Sequence, residues 1–204
     1  IGNSVLMPAN SSTVTIPIDV IADSSLEGNE NVQITLTGTD DTDVTVGASN
    51  TATIDIIDND NALVILTDTS GNEDAGPITV TATLSNPVQG GFTVDVSTAN
   101  GSATAGTDYN AINGQTLVFS GTNNETQTFQ ISPIADTDLE GDETVIVSLS
   151  NLQATSLPVN ITDSAIVTLL NDEVDCGSAA AVDFNIQTYD SSCLNGTSGA
   201  ASAF

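Results

Sequence analysis

Asp23, Glu27 and Glu30 occupy positions i, i+4 and i+7 of one acidic block, and Asp136, Glu140 and Glu143 occupy the same positions of a second block 113 residues later. Both blocks read Ile-Ala-Asp-Xaa-Xaa-Leu-Glu-Gly-Xaa-Glu, at residues 21–30 and 134–143, and Asp138 and Asp142 add further acids to the second. The chain carries 27 acids and no Lys, Arg or His, so no side chain can form an ion pair with them. Carboxylates crowded without a basic partner call for a cation. Oxygen donors with no nitrogen or thiolate among them suit a hard divalent ion, and calcium best of all.

A formal charge of −27 excludes several function classes. Nothing can neutralise phosphate, so nucleic acid is not a partner. An anionic membrane surface repels such a chain, and no run of about 18 apolar residues is present for direct insertion. Catalysis is also disfavoured: without His, Lys or Arg only carboxylates, hydroxyls or the two Cys could act, and without Trp there is no indole ring for a sugar to stack on. The expectation is a protein that is not an enzyme. Cys176 and Cys193 both lie in the last 30 residues, where a disulfide outside the cell and two free thiols are the alternatives. Extreme acidity and a wealth of Ser, Thr and Asn point to an extracellular or cell-surface setting. Five Asn-Xaa-Ser/Thr sequons, beginning with Asn10, are close to unavoidable in such a composition.

The two blocks belong to a longer repeat. Residues 1–60 align without a gap on 114–173, with 17 of 60 positions identical, among them Val5 with Val118, Leu36 with Leu149 and Ala52 with Ala165. A period of this length means tandem whole domains. The reading is a partial module over 1–60, a complete module over 61–173, and a tail or the start of a further β domain over 174–204.

Val, Ile, Leu and Thr dominate while aromatics are 3%, a composition for strands. The complete module reads as seven of them. Leu63–Leu66 is a short apolar run broken between Gly71 and Gly76; Ile78, Val80, Ala82 and Leu84 alternate with Thr and Ser. Asn86-Pro87 and Gly90-Gly91 turn the chain into Phe92, Val94 and Val96. A loop from Asn100 to Gly114 precedes Thr116–Ser120, Thr126–Ile134, an alternation of Val145, Val147 and Leu149, and Ser164–Leu170. Seven alternating strands in about 110 residues predict an all-β fold of tandem immunoglobulin-like sandwiches.

Labelling these strands A to G, direction alternates, so the A–B, C–D and E–F connections and the end of G share one pole. That pole would gather Glu73, Asp108, the block from Asp136 to Glu143, and Asn171-Asp172-Glu173. In the partial module it would hold Asp23, Glu27, Glu30, Asp58 and Asp60. Asp41, Asp43, Asp95, Asp183 and Asp190 show no such convergence and read as solvated surface.

The chain resembles the Calx-beta family, modules named after sodium–calcium exchangers and found also in extracellular adhesion proteins. Gly101-Ser102-Ala103-Thr104-Ala105-Gly106-Thr107-Asp108-Tyr109 is similar to the family's Gly-Thr-Ala-x-x-Gly-x-Asp-Tyr stretch, and Leu117-Val118-Phe119 to its Leu-x-Phe strand. Asp136 through Glu143 resembles its acidic E–F loop, and Asn171-Asp172-Glu173 stands where aspartates often end the module. The resemblance implies Ca2+ held by Glu73, Asp108, Asp136, Glu140, Glu143 and Asp172, with Glu173 an additional ligand. It implies Asp23, Glu27, Glu30, Asp58 and Asp60 for the first module. Ala22 and Ala135 stand where the family often has a further aspartate, and Asn171 where it often has an acid, so fewer or weaker ions are expected.

The function expected from these residues is a structural, adhesive extracellular array whose ions stiffen the junctions between modules. Its partners would be neighbouring modules or identical subunits, with an adhesive target that the sequence does not name. A head-to-tail filament built by strand donation, with Val182–Tyr189 as a donor strand, is one alternative, although a chain read from within a longer polypeptide is the preferred explanation of the partial module. A regulatory calcium-sensing domain of a transporter is the other.

Overall fold

The computed structural model describes residues 4–173; Cys176, Cys193 and the rest of the segment 174–204 lie outside them. Eleven strands occur among the described residues: β1 (Glu30–Thr35), β2 (Thr51–Ile56), β3 (Val64–Leu66), β4 (Thr69–Asn72), β5 (Ile78–Leu84), β6 (Phe92–Asn100), β7 (Tyr109–Asn110), β8 (Asn113–Phe119), β9 (Thr126–Pro133), β10 (Glu143–Gln153) and β11 (Ser164–Leu170). Strands β3 to β11 build an immunoglobulin-like sandwich. One sheet runs β4-β11-β10-β6-β8, the other β3-β5-β9-β7. Alternation in the sequence becomes alternation in burial. Ile78, Val80, Ala82 and Leu84 of one sheet meet Val94, Val96, Val145, Val147, Val167 and Leu169 of the other. At one end Phe92 and Phe119 stack with ring centroids 4.9 Å apart.

The stretch read as a break after Leu66 contains a strand. β4 leaves the sheet of β3 and pairs in parallel with β11, Gly71 opposite Leu169. Two carboxylates hold this switch: Asp163 accepts the Leu66 amide at 2.8 Å, and Asp68 accepts that of Ile166 at 2.7 Å. Each satisfies a backbone donor that the crossing would otherwise leave unpaired. The loop expected from Asn100 to Gly114 likewise contains β7, which pairs with the end of β9. Asp95, expected to be a solvated surface acid, is half-buried and bonded across strands to Thr116 (2.7 Å) and Asn151 (2.6 Å).

The 113-residue period is visible in the hydrogen-bond ladder. β1 pairs with β2 from Glu30 opposite Ile56 to Thr35 opposite Thr51. β10 pairs with β11 from Glu143 opposite Leu169 to Ser148 opposite Ser164, the same register shifted by the repeat length. The β1–β2 sheet has little cover, with Val32 and Ile34 only half-buried. One residue of the first acidic block crosses to the sandwich. Leu26 is 2% exposed and belongs to the core of the complete module, beside Val88 in the β5–β6 turn.

Candidate metal centre

Four connections deliver acids to one pole. Glu73 opens a 3₁₀ turn, Glu73–Ala75, directly after β4. Asp108 precedes β7, where its Oδ2 accepts the Thr104 amide at 2.6 Å and its own amide donates to the Thr104 carbonyl at 2.9 Å. Tyr109, the next residue, is fully buried, and its hydroxyl donates to Asn100 Oδ1 at 2.9 Å, which anchors the Asp108 turn to the core. Asp136 and Glu140 lie on the β9–β10 loop, Glu143 begins β10, and Asp172 and Glu173 follow β11.

These acids sort into two groups. Glu73, Asp172 and Glu173 form one, and Asp108, Glu140 and Glu143 the other; in each, one carboxylate oxygen per residue lies within 4.8 Å of the others. Glu73 and Asp108 are each 8% exposed, the only buried charged residues among those described. Glu73 Oε1 and Glu173 Oε2 are buried with no hydrogen-bond partner. Buried carboxylate oxygens almost always find a donor, so two orphans in one group are exceptional.

Electrostatics carries the same imprint. Burial, then a carboxyl–carboxylate hydrogen bond with Glu173, and then the Glu173, Asp136 and Asp172 charges push Glu73 up to about 7. A proton on Glu73 therefore bridges the two glutamates that are unpartnered when both are ionised. Asp74, exposed beside it, is raised chiefly by Asp172. Burial and then Asp108 raise Glu143, and burial and then Asp136 raise Glu140. Asp136 contributes to the rise of Glu73, Glu140 and Glu143 alike, so its charge is felt in both groups, although it belongs to neither trio. Its Oδ1 accepts the Asp138 amide at 2.7 Å, leaving the other oxygen available. Every one of these shifts has the sign that like charges produce, and no cationic side chain exists to reverse it.

All-carboxylate groups with orphaned, desolvated oxygens fit a hard divalent cation. Zinc, which prefers nitrogen and sulfur, is a poor match. Calcium tolerates the irregular, mixed-depth donor set better than magnesium, which demands a near-ideal octahedron. Of the residues expected in the complete module, Glu73, Asp172 and Glu173 are brought together in one group and Asp108, Glu140 and Glu143 in another, while Asp136 joins neither but raises members of both.

In the first module no group of three acids converges among the described residues. Asp58 Oδ2 accepts the Glu27 amide at 3.3 Å, and Asp23 Oδ1 accepts that of Ser25 at 2.7 Å, so both act as loop clasps. Glu30 and Asp60 join no such group. Positions aligned with Glu73 and Asp108, the two buried anchors, fall before residue 1.

Sequence reasoning overlooked Asp74, whose position beside Glu73 was a visible signal. It also overlooked Asn171 and Asp142 as clasps: Asn171 Oδ1 accepts the Glu140 amide at 3.3 Å, and Asp142 Oδ1 accepts that of Asn171 at 3.3 Å.

The sequence profile of the Calx-beta domain matches residues 4–60 and again 63–173. No curated protein matches the chain. Among solved structures, the chain is similar to the apo form of the Calx CBD1 domain, with 24% identity and a TM-score of 0.46 over 56% of this chain and 100% of that one. It is similar also to CBD12 from CALX1.2 (24% identity, TM-score 0.48, 54% of this chain) and to the calcium-binding domain CBD12 of CALX1.1 (26%, 0.45, 55%). It spans 45% of each of those two CBD12 chains.

Proposed function

The chain belongs to the Calx-beta domain family, and from that premise we propose that it is a calcium-binding structural module array, not an enzyme. Glu73, Asp172 and Glu173 would hold one ion, and Asp108, Glu140 and Glu143 another, with Asp136 shared between them. The ion supplies charge compensation and cross-links connections that are far apart in sequence. The observation that carries this reading is the pair of buried, unpartnered oxygens on Glu73 and Glu173 within an acidic group that has no base to satisfy it.

Stiffening of the junction follows from where the acidic loop lies. In the first repeat, the loop bearing Glu27 presents Leu26 to the β5–β6 turn of the next module. In the complete module the equivalent loop carries Asp136, Glu140 and Glu143, so an ion held there would order the loop that faces a following module. This favours a structural role over a purely regulatory sensor, which would use the same ligands. Extracellular calcium modules bind at about 10⁻⁴–10⁻³ M, and an ion at 100 times its dissociation constant adds roughly 2.7 kcal/mol. That is a large share of a stability of about 5–15 kcal/mol. An extracellular, adhesive setting agrees with the charge and composition. Among the described residues no helix is long and apolar enough to cross a membrane.

Limited proteolysis and small-angle scattering of the chain, with calcium and with chelator, test the reading. Cleavage in the 134–143 loop and a broader distribution of shapes on chelation are expected. Identical digests and scattering profiles in both conditions would exclude ion-dependent stiffening.

A further inference from the structure

Leu26 and Leu139 occupy the same place in the two acidic blocks, yet Leu26 is 2% exposed and Leu139 is 56% exposed. Their loops are clasped alike. Asp23 and Asp136 each accept the amide two residues on at 2.7 Å. The amides of Glu27 and Glu140 donate to Asp58 and Asn171, both at 3.3 Å, and the amides of Asp58 and Asn171 donate back to Asn29 (3.1 Å) and Asp142 (3.3 Å). The conformation that presents Leu26 is thus repeated around Leu139. What differs is the surface in front of it.

Leu26 meets the turn Pro87-Val88-Gln89. Its amide donates to the Pro87 carbonyl at 2.9 Å, its carbonyl accepts the Gln89 amide at 3.0 Å, and its side chain lies in the cluster that contains Val88. The turn is a rigid receiver. Val88 donates to the Gly121 carbonyl at 2.9 Å, and Gly121 has a φ of 88° with no room for a Cβ against the Val88 carbonyl.

We propose that Leu139 is the docking residue for a further module of this family, and that its partner is that module's β5–β6 turn. The partner's chemistry is the one that Leu26 already finds: an apolar side chain flanked by a free carbonyl and a free amide. A second copy of this chain is not the occupant, because its own Leu26 already fills that turn. Exposed leucines are ordinary when they are isolated. This one repeats, residue for residue, a loop whose leucine is buried in the next module. The contact itself uses backbone groups and a leucine and no carboxylate, but Leu139 adjoins the proposed ligand Glu140, so its test is run at one fixed calcium level.

The test uses residues 1–173 followed directly by a second copy of residues 61–173, which keeps the spacing from Leu139 to the added Val88 equal to that from Leu26 to Val88. Amide exchange is read at Gln89 of the added copy. The expected result is exchange at least tenfold slower than at Gln89 of a Leu26→Ser chain, with that protection lost in Leu139→Ser. An unprotected amide, or protection indifferent to Leu139→Ser, overturns the proposal. So does either other occupant: Leu139-dependent self-association of the 1–204 chain, or protection of the Leu139 amide by residues 174–204 within that chain.

Discussion

Glu73 and Glu173 come from opposite ends of the complete module, and each buries one carboxylate oxygen without a hydrogen-bond partner in the same group of acids. One follows β4, which has changed sheets to pair with β11, and the other follows β11 itself. Whatever satisfies both oxygens ties the start of the sandwich to its end.

Replacing Glu73 with Gln should act in opposite directions with and without calcium. In chelator the change removes one of several repelling charges and raises the melting temperature. With calcium it removes a ligand, and a tenfold or greater loss of affinity corresponds to about 1.4 kcal/mol. Melting curves in both conditions check this, and a change of the same sign in both would argue against ligation.

Metal-free protein should gain stability as pH falls from 7 towards 4.5. Glu73 has a folded pKa of about 7 against an ordinary 4.5, because burial and then its acidic neighbours disfavour the charged form. Between those values the folded state binds more protons than the unfolded, so stability falls as pH rises. Glu125 works the other way. Burial alone would raise it, but donors from Ser120, Thr122 and Gly121 prevail and hold it below 4.5, so its contribution is present above that value and lost as pH drops through its folded pKa. Melting temperature in chelator from pH 7 to 4.5 is the measurement; a flat or falling profile on acidification would contradict the crowding of Glu73.

Glu125→Ala should destabilise without touching calcium. Its carboxylate accepts the amides of Ser120, Gly121 and Thr122 at 2.9, 3.0 and 3.3 Å, closing the β8–β9 turn. Losing these charge-assisted bonds should cost roughly 1–3 kcal/mol. Denaturant unfolding in calcium and in chelator should show the same loss.

The paired leucines give a third contrast. Leu26→Ala should cost about 2–5 kcal/mol, as buried leucine truncations do, whereas Leu139→Ala in the same chain should lie within about 0.5 kcal/mol of the parent. Equal losses by chemical denaturation would mean that Leu26 is not structurally distinct from Leu139.

The sequence carried the sandwich because period-2 alternation over β5, β6, β9, β10 and β11 is a one-face burial signal. It carried the acidic pole because alternating strand direction fixes which connections lie together. It did not show that the acids divide into two groups with Asp136 in neither, since carboxylate partition depends on loop conformation. Nor did it show β4 changing sheets, a step held by Asp68 and Asp163, two acids that the sequence did not single out. Leu26 was missed for another reason. Amid six polar or charged neighbours its apolar character was the informative signal, and the chemistry of the acids drew the reading away from it.

Equilibrium calcium titration of the 1–204 chain by calorimetry tests the central claim most directly, alongside Glu73→Gln and Glu140→Gln. The account predicts at least two ions in the parent, with each substitution weakening a different one. No saturable calcium binding, or binding unchanged in both variants, would contradict it.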